Sequence, residues 1–267
     1  MLTAKERDLI LKEIWSGNIT LFKLPLNLYQ DIIQELQRGL FQGFGGTLKD
    51  FPEGSRDFTT LKSLDQNVQR FGAAKTFQQV NDTQNFLVDN QGFARSLTEF
   101  SKDAKVIYKQ YNVRWAEVEK NTAVAQAQSA AQWNDIEKDK NILPLLKYQT
   151  AFDERVRPLH EAWDGIVKPV DDPFWNDRLP PNSYNCRCIV IQLEEGEENT
   201  TNLGDHLKSV KEKTGVTSLG NDSKLFSNNA GKDKFVFDEK GSNKHPYFKV
   251  SREHNDLKNR NFNLPLT

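Results

Sequence analysis

The chain has few of the residues that would mark it for a simple class. Only two cysteines occur in 267 residues. They are Cys186 and Cys188, and a disulfide across one intervening residue would be strained by the Cα separation and dihedral it requires. A disulfide-stapled secreted scaffold is therefore not expected. No uncharged apolar run approaches the roughly 18–20 residues that span a bilayer, so membrane integration is not expected. The opening stretch, MLTAKERDLILKEIW, carries charges where a signal peptide needs an unbroken apolar segment, and the chain is expected to stay in the compartment where it is made. An excess of either charge is also missing. Thirty-six Lys+Arg stand against 37 Asp+Glu, a net charge of -1, which removes a global drive toward nucleic acid or anionic membrane and leaves only local basic patches. Apolar residues are sparse at 37%, with 27% charged and a mean hydropathy of -0.70. Even with glycine added, the apolar share falls under the roughly 45–50% usual for globular domains. One or two modest cores and much exposed chain follow.

What is there divides into three textures, and together they predict an α+β fold. Up to residue 140 the pattern is helical. Thr3 and Glu6 have capping-box spacing, followed by Leu9, Ile10 and Ile14 on one face. Ile32, Ile33, Leu36 and Leu40 form a second stripe that runs into Gly39, Gly43, Gly45 and Gly46, expected to end the helix in a flexible connection. No Gly-Lys-Ser/Thr follows, so a phosphate loop is not indicated. Phe71, Phe77, Phe86, Phe93, Phe100 and Tyr108 recur without excess Lys/Arg, a core stripe rather than a nucleic-acid stacking ladder. Residues 111–139 carry the strongest helical periodicity, with many small side chains, and Leu143 and Pro144 break it.

Residues 141–193 read as a small loop-rich domain. Leu145–Gln149 and Ile189–Leu193 are β-rich runs, and five of the ten prolines lie between them. From residue 194 to 267 the chain reads as an extended polar tail with a small β module at Phe235-Val236-Phe237 and Tyr247-Phe248-Lys249-Val250.

The chemistry concentrates in 153–188. His160, Cys186 and Cys188 are ligands of the kind tetrahedral zinc uses, with Asp164, Asp171, Asp172 or a water as the fourth. Alternatively a cysteine is a nucleophile with His160 as base and Asp164 as orienter, although no nucleophile elbow or protease signature surrounds them. A third reading makes Asp153, Glu154, Arg155, Arg157 and His160 an acid/base set of the kind a nuclease needs. Against it stands an ion-pair lattice in which the arginines order long loops.

Arg155-x-x-x-x-His160-x-x-x-Asp164-Gly165, Asp171-Asp172-Pro173-Phe174-Trp175, Pro180-Pro181-Asn182 and Asn185-Cys186-Arg187-Cys188, in that order, resemble the signature of the phage head morphogenesis family typified by the F protein of bacteriophage Mu. The alanine-rich helix from Glu119 to Trp133 is similar to the helix that leads into this domain in relatives. The resemblance covers residues 110–193 well and the N-terminal region loosely. Asn229-Ala230-Gly231-Lys232 and His245-Pro246-Tyr247-Phe248 are similar to a short C-terminal module of some members.

The resemblance implies a minor structural protein of the virion head, present in few copies near the portal vertex and assembled in the bacterial host cytoplasm. Its expected partners are the portal protein, the major capsid protein, or both, with packaged DNA reached through local contacts. Some relatives carry a ribonuclease-like or ADP-ribosyltransferase domain. No room for a full one follows Leu193, so the chain is expected not to be an enzyme. The alternative is a prophage nuclease-like or metal-dependent effector using His160 with Arg155 and Arg157. The compact signature also strengthens a zinc site at His160, Cys186 and Cys188 with Asp164.

Overall fold

The N-terminal capping signal is realised in the computed structural model, which describes residues 2–221 and 223–266. Thr3 accepts from the Glu6 amide while the Glu6 carboxylate accepts from the Thr3 amide, and the two together open α1 (Ala4–Trp15). Four longer helices follow: α2 (Leu26–Phe44), α3 (Arg56–Gln84), α4 (Leu97–Lys109) and α5 (Trp115–Asp139). A π-helical turn at Gln110–Arg114 precedes α5. Then come β1 (Leu145–Gln149), α6 (Pro158–Trp163), β2 (Val167–Pro169), β3 (Ile189–Leu193), α7 (Leu203–Thr214) and short helical turns. The fold is α+β, with one antiparallel sheet in the order β2-β1-β3. No helix among the described residues is long and apolar enough to cross a membrane.

The chain forms two compact units that are not consecutive in sequence. One takes Met1–Leu40, Leu64–Ala123 and Phe237–Thr267, the other Phe41–Ser63 and Val124–Val236. The sequential division at 140 and 193 does not coincide with these units.

In the first unit the last segment of the chain is part of the core. The tail expected to be extended, with strands at 235–237 and 247–250, forms no strand among the described residues, and 246–248 is a 3-10 turn. The physical reason is that a side chain supplies what a neighbouring strand would have supplied. Asn67 on α3 donates its Nδ2 to the Phe237 carbonyl and accepts the Phe237 amide at Oδ1, both at 2.9 Å. The Phe237 ring stacks on Phe71 with centroids 3.7 Å apart. Phe262 packs on Phe77, and Tyr29 donates to the Pro265 carbonyl at 2.6 Å.

Beneath this segment lies a buried ion pair. Lys75 donates to Glu119, and both side chains are almost wholly shielded from solvent. Tyr247 donates to the other Glu119 oxygen at 3.0 Å. Burial pushes the Glu119 carboxyl up and the Lys75 ammonium down, and each partner's charge opposes that shift.

The second unit is built around a cluster that includes Trp133, Leu146, Tyr148, Trp163, Trp175 and Val190. Gly39 and Gly43 lie inside α2 and do not end it. Gly43 has a packing role, because a Cβ there would come within 2.1 Å of the Val124 carbonyl oxygen on α5.

Two stability measurements test these contacts. Helix propensity alone would make Gly43→Ala stabilising by about 1 kcal/mol. The clash with a backbone oxygen reverses the sign, and a loss of about 1–3 kcal/mol in urea unfolding is expected. Lys75→Met leaves Glu119 buried without its cation and should cost about 3–5 kcal/mol, most of it regained in Lys75→Met/Glu119→Gln. A Lys75→Met variant as stable as the parent would mean that the pair is hydrated in solution.

Candidate metal centre

The centre is assembled from two loops flanking the central strand. Pro158 opens α6 at its first turn, where a missing amide costs nothing. This short helix buries His160, Ala162 and Trp163 on one side. The His160 ring lies parallel to the Trp163 indole, centroids 5.3 Å apart, which fixes its plane. On the other loop, Asn185 takes a left-handed conformation (φ 57°) and redirects the chain into Cys186-Arg187-Cys188. β3 follows at once and pairs with β1, placing Val190 opposite Tyr148.

In extended backbone, side chains alternate between faces, and here the two cysteines turn inward while Arg187 turns away. Both sulfurs lie 3.7 Å from His160 Nδ1. All three ligand atoms fall within 4.8 Å of one another. Arg187 grips Asp153 with two bonds of 2.6 and 2.7 Å, and Arg157 donates to the Tyr184 carbonyl at 3.0 Å. These two contacts tie the segment before α6 to the cysteine loop.

The electrostatics favour a thiolate. Cys186 is pulled well below the usual thiol range. The Cys188 thiol contributes most, and His160 and the amides of Asn182 and Cys188 add to it against the cost of burial. Cys188, facing that thiolate and itself buried, is pushed up. Tyr148, raised mainly by its burial and then by the cysteines, stays a neutral phenol and donates to Asn182 Oδ1 at 3.0 Å.

The donor set fits zinc on two grounds. Tetrahedral zinc with Zn–N near 2.0–2.1 Å and Zn–S near 2.3 Å separates nitrogen and sulfur ligands by about 3.6 Å, close to the two distances of 3.7 Å observed. One imidazole nitrogen has a single in-plane direction for a hydrogen bond, so it cannot align with two thiols at once. One cation between the three atoms satisfies all of them.

The carboxylates considered as a fourth ligand are used elsewhere. Asp164 accepts from the Thr150 amide and hydroxyl at 2.8 and 3.0 Å, tying the end of α6 to the end of β1. Asp171 pairs with Lys140, and Asp172 caps the turn Pro173–Asn176. Among the described residues none of the three joins the ligand cluster. Arg155 is exposed and lies 3.9 Å from Asp153. The arginines therefore behave as the loop-ordering lattice. Sequence reasoning missed Tyr148, Asn182 and the Arg187–Asp153 pair. The period-2 position of Arg187 between two inward cysteines was the one available signal.

Residues 90–191 match the family described as Phage Mu protein F like protein. The putative capsid assembly protein F of Escherichia phage Mu is 33% identical over 73 residues, 27% of this chain and 17% of that protein. The Mu-like prophage FluMu F protein of Haemophilus influenzae is 36% identical over 76 residues, 28% of this chain and 17% of that protein. The matched segment thus spans about a sixth of each relative's length. No solved structure matches.

Elemental analysis of protein prepared without added metal should find about one zinc per chain, as expected for a thiolate–imidazole ligand set. Cys188→Ser should release it, and a chelator should lower the melting temperature of the parent but not of the variant. Protein that is metal-free yet melts at the same temperature with and without added zinc would overturn the assignment.

Proposed function

We propose that this chain, whose residues 90–191 form a Mu protein F-like segment, is a minor structural protein of a tailed-phage or prophage head. It would act in head morphogenesis at or near the portal vertex, in contact with portal protein, major capsid protein or both. It would assemble in the host cytoplasm and remain in the virion head in several copies, touching packaged DNA only locally. The name of the phage Mu relative, a putative capsid assembly protein, supports the head assignment. The proposed portal, capsid and DNA contacts extend that assignment.

The observation that carries a structural rather than an enzymatic reading is the employment of the charged signature. Asp153, Arg157, Asp164 and Arg187 each hold backbone or a loop partner. A nuclease would need such groups free to meet a phosphate. His160, Cys186 and Cys188 would hold zinc, with a water as the fourth ligand. The metal would supply a cross-link between α6 and the start of β3, in a unit whose described residues form three strands to brace its loops. A rigid contact surface is what an assembly protein gains from such a clamp.

The test is co-sedimentation. Expressed with its own portal and capsid proteins, the chain should travel with proheads at substoichiometric amount, and purified protein should leave RNA and DNA intact. Cleavage that His160→Ala abolishes without unfolding the protein would establish the effector reading instead. Absence from purified heads would remove the structural one.

A further inference from the structure

A second surface, in the helical unit, is built to receive a partner. α1 and α4 run antiparallel, since Trp15 at the end of α1 donates its indole N–H to the Arg95 carbonyl just before α4, while Asp8 pairs with Lys105 further along. Between them lies an open groove of about 780 Å³. Its α1 wall is Lys5, Asp8, Leu9 and Lys12, and its α4 wall is led by Leu97, Lys102 and Lys105. Each wall follows i, i+3, i+4, i+7 spacing, so one continuous face of each helix is turned to the groove. Thr98 and Ser101 are short and leave the α4 wall low enough for another backbone to approach.

The chemistry of this face is uneven. Four lysines and one aspartate line it, and the aspartate is taken by Lys105. Leu9 is 54% exposed in the midst of the lysines. On the same helix Ile10, Leu11 and Ile14 are buried, while Leu9 and Trp15 stay open, and of these two it is Leu9 that lines the groove.

We propose that the groove docks an acidic amphipathic helix of a protein partner. The lysines would meet carboxylates on its flanks, and Leu9 and Leu97 would meet its apolar stripe. The walls are eight and nine residues long, about 12–14 Å at 1.5 Å per residue, and so engage two to three turns of the incoming helix. A second copy of this chain is disfavoured, because an isologous pairing would press four lysines against four lysines. Duplex DNA would answer the charge, but it would leave the open leucine without an apolar partner, and the groove offers no arginine for bidentate phosphate contact. The groove would take such a helix whether or not the chain assembles into heads, so this test and the sedimentation experiment fail independently.

The experiment uses the full chain and a fluorescent stapled helix carrying leucines at i, i+3, i+4 and i+7 between glutamates. Fluorescence anisotropy should show saturable binding, weakened by salt. Leu9→Asp and the triple variant Lys5→Glu/Lys12→Glu/Lys102→Glu should each reduce affinity at least about tenfold. Ser101→Trp, which fills the groove without changing charge, should do the same, and all three should retain the parent's circular dichroism. A peptide with lysines in place of the glutamates should not bind. The proposal is overturned if the acidic helix does not bind the parent. Binding indifferent to Leu9 and Ser101, or displaced by duplex DNA that needs the same lysines, would overturn it too.

Discussion

The unit that carries the candidate metal centre depends on one requirement: a long irregular backbone, buried without a large sheet, must have its amides and carbonyls answered by side chains. The three strands β1, β2 and β3 supply little ladder, and the connections 150–166 and 170–188 run between them. Side chains do the rest. Trp163 donates to the Leu219 carbonyl, Trp175 to the Pro169 carbonyl, and Asn229 to the Trp175 carbonyl. Arg178 donates to the same Leu219 oxygen while its guanidinium lies over the Phe174 ring. Tryptophan suits this task because one side chain both fills the core and reaches a carbonyl with its indole N–H. A chain lean in aliphatics can therefore order long loops, provided its tryptophans, asparagines and arginines stand at the right places. The signature residues are explained by that need before any chemistry is invoked.

Much of this was legible in the sequence where the governing interaction is local. The capping box at Thr3 and Glu6 and the strands Leu145–Gln149 and Ile189–Leu193 fall at the expected residues. The His160–Cys186–Cys188 grouping, chosen for ligand chemistry, is brought together across 26 residues. What failed was non-local. Phe235-Val236-Phe237 has strand composition, yet whether such a run becomes a strand depends on a partner, and the partner is the Asn67 side chain. Gly43 looked like a helix terminator because glycine near a helix end commonly is one. Its reason is a carbonyl on a helix some eighty residues away in the chain. Asp164 is one of several carboxylates offered as a fourth ligand by their chemistry, and the fold adds that its Oδ1 accepts from the Thr150 amide and hydroxyl.

The helical unit meets a different constraint. Its final segment is polar in composition, yet it anchors aromatic side chains over a buried charge pair. Phe237, His245, Tyr247 and Phe248 surround the Phe71 ring. Tyr247 also completes the hydrogen bonding of Glu119. Burial lowers the pKa of His245 to about 4 and so keeps it neutral, consistent with a site that already holds the Lys75 cation. A buried ion pair is seldom the most stabilising way to fill a core. It does discriminate between arrangements, because any displacement of the last segment strips Glu119 of one partner. The same pair thus specifies where a polar tail must lie, which bulk hydrophobicity in so lean a segment could not do.

The two constraints bear on assembly in the same direction. In each unit particular polar side chains serve internal order, answering loop carbonyls in one and holding the tail and ion pair in the other. What is left unanswered on the surface then becomes informative. Along α1 and α4, Lys105 is engaged by Asp8, while Leu9 stays exposed among the other lysines of the groove. A grooved, charged and partly apolar face of this kind between α1 and α4 is suited to be completed by another protein's helix.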